Sequence, residues 1–110
     1  MAAWNLISQD HRYSIDVQAL DNGALNGTLS YEGTTYAVAG GWDASYSLPG
    51  RNFSAFALSG STSEAAPTFL SATGIMTGPG TAPTRIDIQI DLSASSDGSV
   101  RQYKGVLLSS

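Results

Sequence analysis

The sequence predicts an all-β fold, an eight-stranded antiparallel up-and-down barrel. Three observations carry that prediction. Apolar and polar residues alternate with period two over most of the chain, and no stretch shows a helical or heptad period. Turn-forming residues interrupt the alternation at short intervals. The 110 residues divide into about eight short strands with little left over, joined by connections that suit antiparallel neighbours. Closure is favoured because it removes the exposed edges of a sheet. The alternative is a two-sheet β-sandwich. It needs long crossovers, and only the breaks at 43–51 and 59–67 have the length.

The strands are expected near 3–9, 12–20, 24–32, 34–43, 52–59, 68–77, 84–93 and 99–108. The first would close the barrel by pairing Trp4 to Ser8 with Lys104 to Ser109. The second alternates Tyr13, Ile15, Val17 and Ala19 against Ser14, Asp16 and Gln18. In the third, Leu25, Gly27, Leu29 and Tyr31 oppose Asn26, Thr28, Ser30 and Glu32. In the fourth, Tyr36, Val38, Gly40 and Trp42 oppose Ala37, Ala39, Gly41 and Asp43. The seventh is the cleanest, with Ile86, Ile88, Ile90 and Leu92 set against Arg85, Asp87, Gln89 and Asp91. Between strands, Asp21-Asn22-Gly23 reads as a type I′ turn, because Asn and Gly tolerate left-handed backbone. Glu32-Gly33 is a second tight turn. Gly27 and Gly40, inside strands, mark close backbone approach or barrel corners.

Composition bounds the function. A chain of this length is one domain, residues 1–110. Without cysteine there is no disulfide framework, thiolate zinc site, iron–sulfur cluster or cysteine nucleophile. A single histidine leaves few acid–base options, and no cofactor is expected. A net charge of −4 argues against nucleic acid, whose phosphates demand a basic stripe, and against an anionic membrane surface. No apolar run reaches the length of a membrane span. The start, Met1-Ala2-Ala3-Trp4, does not read as a secretory signal, and the compartment stays open.

The order of several motifs resembles the avidin and streptavidin family. Asp21 to Thr28 is similar to that family's second hairpin, and Tyr36 to Asp43 to its fourth strand. Ser71-Ala72-Thr73 looks like the Ser-x-Thr of the sixth, Arg85-Ile86-x-x-Gln89-x-x-Leu92 like the seventh, and Tyr103-Lys104 like the Trp-Lys of the eighth. The resemblance covers nearly the whole chain and implies an eight-stranded barrel with an open mouth and association into dimers or tetramers. Its biotin site carries over poorly. Ser71 and Thr73 match the polar pair, but the expected tryptophans are Ile75, Ile90 and Tyr103. The ureido tyrosine position holds Leu29, and the serine two residues later is Tyr31. Tight biotin binding is therefore not implied.

The candidate interior is Ile15, Val17, Leu25, Leu29, Tyr31, Val38, Trp42, Ile75, Ile86, Ile88 and Ile90. It is either a filled core, as in many small barrels, or an apolar cup with a few polar handles. The handles would be the ligand-binding residues Tyr31, Trp42, Ser71, Thr73 and Tyr103. His11, in Gln9-Asp10-His11-Arg12, reads as an exposed turn residue, because strand neighbours point apart and Asp10 cannot orient it as a base. Asp87 and Asp91 share a face about 13 Å apart along an extended strand, too far for a glycosidase pair. Asp21-Asn22-Gly23 lacks the remaining ligands of a calcium loop.

The leading expectation is a non-catalytic barrel that binds a small molecule or carbohydrate. One alternative is a small enzyme of cyclase or isomerase type that confines its substrate, with Tyr13, Tyr31, Tyr36 and Asp43 as inward candidates. Another is a lectin or inhibitor acting through the 43–51 rim with Trp42, Tyr46, Arg51 and Phe53. The small, smooth face of Ala37, Ala39 and Gly41 allows barrel-to-barrel packing in a homo-oligomer.

Overall fold

The computed structural model describes residues 2–43, 53–63, 65–79 and 82–109. The strands are β1 (Ala2–Ser8), β2 (Tyr13–Ala19), β3 (Ala24–Tyr31), β4 (Thr34–Trp42), β5 (Phe53–Ser61), β6 (Thr68–Thr77), β7 (Arg85–Ala94) and β8 (Val100–Ser109). They form a closed barrel in sequential order, every neighbour antiparallel. Each expected strand is found within two residues of its predicted ends.

Alternation puts one face of each strand inside. Trp4, Leu6, Ile15, Val17, Leu25, Leu29, Val38, Phe56, Leu58, Leu70, Met76, Ile86, Ile88, Ile90, Leu92 and Leu107 build the buried interior. Period-two patterning of this kind drives apolar surface out of water on one side and leaves the other solvated.

The one break from the expected interior lies on β6. Ile75 is 42% exposed and faces out. Both faces of Thr68–Thr77 carry large apolar residues, so alternation alone does not choose between them. Pairing chooses: Leu70 lies opposite Leu92, Ala72 opposite Ile90 and Met76 opposite Ile86, so β6 follows the inward parity of β7. Phe69, Ser71, Thr73 and Ile75 are thereby turned outward.

Glycine lets neighbouring strands approach closely. A Cβ on Gly40 would stand 1.9 Å from the Ala57 carbonyl oxygen, one on Gly60 2.0 Å from that of Ala37, and one on Gly27 2.2 Å from that of Asp16. Neighbouring backbones approach there more closely than any side chain permits.

The turns follow local chemistry. Glu32 (φ 49) and Gly33 (φ 86) form the left-handed pair of a type I′ hairpin. The Asp21–Gly23 turn differs from expectation. Only Gly23 is left-handed (φ 93), and its N–H donates to the Leu20 carbonyl at 3.0 Å. That is a type I turn closed by a left-handed glycine, with the Asn22 side chain accepting from the Ala24 N–H at 3.0 Å.

Closure is short. β1 meets β8 only through Leu6–Ser109, Ile7–Leu108 and Ser8–Leu107. Beyond Ser8 the chain turns away, and Val100 to Val106 of β8 pair as a strand only with β7. The barrel wall therefore has a slot between the 9–12 turn and β8.

Candidate functional site

The five expected site residues fall in three places. Tyr31 and Tyr103 come together at one end of the barrel, with ring centroids 6.3 Å apart and edge to face. Trp42 belongs to a second aromatic cluster at the opposite end. It lies edge-on to Trp4 at 5.5 Å, and Trp4 meets Phe56 at 6.0 Å. The Trp42 indole N–H donates to the Leu20 carbonyl at 3.2 Å, which ties this cluster to the β2–β3 turn. Ser71 and Thr73 are exposed on the outer face of β6, away from the interior. The polar handles predicted for the sixth strand thus do not line the barrel.

The Tyr31–Tyr103 end gains a third ring. Tyr13, at the start of β2, stacks on Tyr103 with centroids 3.7 Å apart and lies edge-on to Tyr31 at 5.0 Å. In sheet order β1 separates β2 from β8, so their backbones would ordinarily lie two strand spacings apart, about 9.6 Å. Because β1 ends at Ser8, the two rings cover the inner side of the slot. The Tyr103 ring also lies over Gly105, two residues on along the same strand face. A Cβ there would stand 2.0 Å from the phenol oxygen.

Ser8 fixes the turn that opens the slot. Its buried Oγ donates to Asp10 Oδ1 at 2.7 Å and accepts from the N–H groups of Arg12 (3.2 Å) and Tyr13 (3.1 Å). His11 takes a left-handed backbone (φ 63) and is exposed, as expected of a turn histidine. Across the rim, Glu32 Oε1 accepts from the Arg12 guanidinium at 2.6 Å and from the Tyr13 hydroxyl at 3.2 Å. Arg101, on the inner parity of β8, reaches across the mouth and places its Cζ 5.5 Å from the Tyr31 ring centroid.

Electrostatics follow from these contacts. The Ser8 hydroxyl and the Arg12 N–H hold the Asp10 carboxyl below its ordinary value, so Asp10 is ionised. Burial, then the hydrogen bond to Glu32, raises the Tyr13 phenol. Burial, then the Asp10 charge, raises Tyr103. Both phenols are neutral at physiological pH. Gln9, Asp10, Tyr103 and Val106 line an open cleft of about 490 Å³ on the outer side of the slot.

The other candidates are structural. Asp87 is bridged by Arg85 through two hydrogen bonds, at 2.8 and 3.0 Å, which lower its carboxyl. Asp91 accepts from the Gln102 amide at 2.8 Å. Among the described residues no group of His, Asp and Glu side chains could hold a metal ion, and no helix is long and apolar enough to cross a membrane. The rim residues Tyr46 and Arg51 lie outside the described residues.

No family model and no curated protein matches this chain. Sequence reading missed Tyr13 as a partner of Tyr103, and it missed the roles of Ser8, Glu32 and Arg101. The available signal was the recurrence of tyrosine on the inner parity of three strands that meet at one barrel end.

Proposed function

We propose that this protein is a non-catalytic, small-ligand-binding β-barrel of avidin-like topology that seats its ligand at the tyrosine-lined end. The observation that supports this is the convergence of Tyr13, Tyr31 and Tyr103 beside the Asp10 cleft. Aromatic faces with a few polar groups at the rim are the usual makeup of a small-molecule or carbohydrate site. Enzyme action is the weaker reading. Tyr13 and Tyr103 both sit above the ordinary phenol value, the wrong direction for a base near neutral pH. Biotin is not the expected ligand, because Ser71 and Thr73 face outward and Ile90 stands fully buried where a tryptophan would be needed.

A thermal-shift screen of small molecules and sugars, with biotin included, tests the reading, since a ligand of the folded state raises the melting temperature. A true ligand loses its shift in Tyr103→Leu and keeps it in Ser71→Ala and Thr73→Ala. Shifts that survive Tyr103→Leu would overturn the assignment.

Association of copies belongs to the same reading. The described outer positions of β4 to β6, from Thr35, Ala37 and Ala39 through Ala55, Ala57 and Ser59 to Ser71 and Thr73, carry no charge. Such a face can pack flat against a second copy without desolvating ions. Ala57→Arg would then convert an oligomer to a monomer in light scattering, and a wild-type monomer would end the idea.

A further inference from the structure

The tyrosine end already holds a cation. Arg101 stands opposite Leu92 on the inner parity of β8, and its guanidinium rests over the Tyr31 ring at 5.5 Å. Tyr31 is in turn braced edge-on by Tyr13 at 5.0 Å and by Tyr103 at 6.3 Å. A cation over an aromatic face is attracted by the negative π cloud, and the attraction grows as water is excluded. The rim adds two carboxylates, one of them compensated by an ion pair. Glu32 sits against Tyr13, and Asp10 lies close enough for its charge to bear on Tyr103. Arg12, the cation nearest Glu32, is held in an ion pair with it.

We propose that this end of the barrel binds an organic cation, a quaternary ammonium or guanidinium head group, and that Arg101 is its built-in occupant. The inference rests on the ligand-binding reading above and names the chemical class that the site takes. Three features converge on it: a tyrosine trio, carboxylates at its rim, and a guanidinium of the chain's own seated on one ring. Arg101 is exposed at the mouth, and Asp97 in the β7–β8 turn lies within electrostatic reach of it. A ligand cation displaces the guanidinium from Tyr31 into the solvent to which Arg101 is already exposed. No bond is made or broken. One cation replaces another on the same ring, and the aromatic surface stays covered in both states.

The test uses choline and its neutral isostere 3,3-dimethylbutan-1-ol, which has the same shape without the charge. Both are titrated by NMR into the full chain and into Arg101→Met, which keeps an apolar stem and removes the competitor. Choline is expected to shift resonances of the tyrosine end, and to bind Arg101→Met roughly two- to fivefold more tightly, the size of an exposed cation–π increment. The isostere is expected to leave both proteins unperturbed. Trimethyllysine amide, titrated in parallel, separates a free small molecule from a modified side chain as the source of the head group. Tighter binding of either supports a cation site. Equal binding of choline and the isostere would overturn the cation assignment while leaving a ligand site in place. So would choline binding that is unchanged or weakened in Arg101→Met. If neither compound binds Arg101→Met, the cation assignment falls. Screen ligands whose shifts ignore Tyr103→Leu would remove the ligand site itself.

Discussion

Tyr13 and Tyr103 stack face to face at 3.7 Å although a strand lies between theirs in the sheet order. The contact exists because β1 stops at Ser8 and leaves Val100 to Val106 of β8 paired with β7 alone, with no strand on the β1 side. Two phenol rings take over part of the work of a missing strand. They cover the interior at the slot, and Tyr103 in the same act presents aromatic surface to the cleft beside Asp10.

Gly105→Ala tests how tightly this ring is held. The new Cβ would stand 2.0 Å from the Tyr103 oxygen and 2.4 Å from the ring carbon that bears it. The ring must swing, and the stack on Tyr13 opens. The expected loss is about 1–3 kcal/mol by urea denaturation, the usual cost of overpacking. In a Tyr103→Ala background the same substitution should cost much less, because nothing is left to displace. A double-mutant cycle reads that coupling.

The contrast between β7 and β6 explains what the sequence made legible. Along Arg85 to Leu92 every apolar residue is aliphatic and every intervening one is charged or polar, so a single face can be buried. Along Thr68 to Thr77 the two faces offer Leu70 and Met76 against Phe69 and Ile75, and only the register with β7 decides between them. Ser71 and Thr73 follow that decision to the outside. The tyrosine end was hidden for another reason. Tyr13, Tyr31 and Tyr103 sit on strands β2, β3 and β8, and no local pattern announces that β1 ends early enough for their rings to meet.

The close-packed strand glycines should divide sharply from the turn glycines. Alanine at Gly40 or Gly60 would meet backbone carbonyls at 1.9 and 2.0 Å, and backbone cannot rotate away as a side chain can. Each is expected to cost about 3 kcal/mol or more, or to prevent folding. Alanine at Gly33 has nothing within 4 Å and suffers only its left-handed φ of +86. That should cost about 1–2 kcal/mol. Thermal melts of the three variants in one buffer make the comparison.

Alkaline pH should unfold the protein through its buried phenols. Tyr13 and Tyr103 are both raised above the ordinary phenol value, mainly by burial. A group whose folded value is raised contributes stability that is fully present below its unfolded value of about 10. That stability is lost as pH rises through the higher folded value. The melting temperature should hold up to about pH 10 and fall from there through the higher folded values, more shallowly in Tyr103→Phe. Absorbance titration of tyrosinate should show Tyr13 and Tyr103 ionising late, and the late amplitude should shrink in Tyr103→Phe. The carboxylates act at the other limit. Asp10, Asp87 and Asp97 are lowered by hydrogen bonds, so their contributions stand above the ordinary carboxyl range and fade as pH falls through their folded values.

Ser8→Ala should couple the turn to the tyrosine end. Ser8 is 4% exposed, and its hydroxyl serves Asp10, Arg12 and Tyr13 together. Alanine leaves two backbone N–H groups without this acceptor, one of them the buried N–H of Tyr13. The expected loss is about 1–3 kcal/mol, the range for orphaning a buried polar group. Because Tyr13 carries one face of the stack, the effect should travel to Tyr103. Ser8→Ala should lower the late tyrosinate titration along with stability, whereas Ser54→Ala, which removes a buried serine hydrogen bond at the opposite, Trp42 end of the barrel, should leave that titration unchanged. Equal tyrosinate curves for Ser8→Ala and wild type would mean that the turn and the stack are independent.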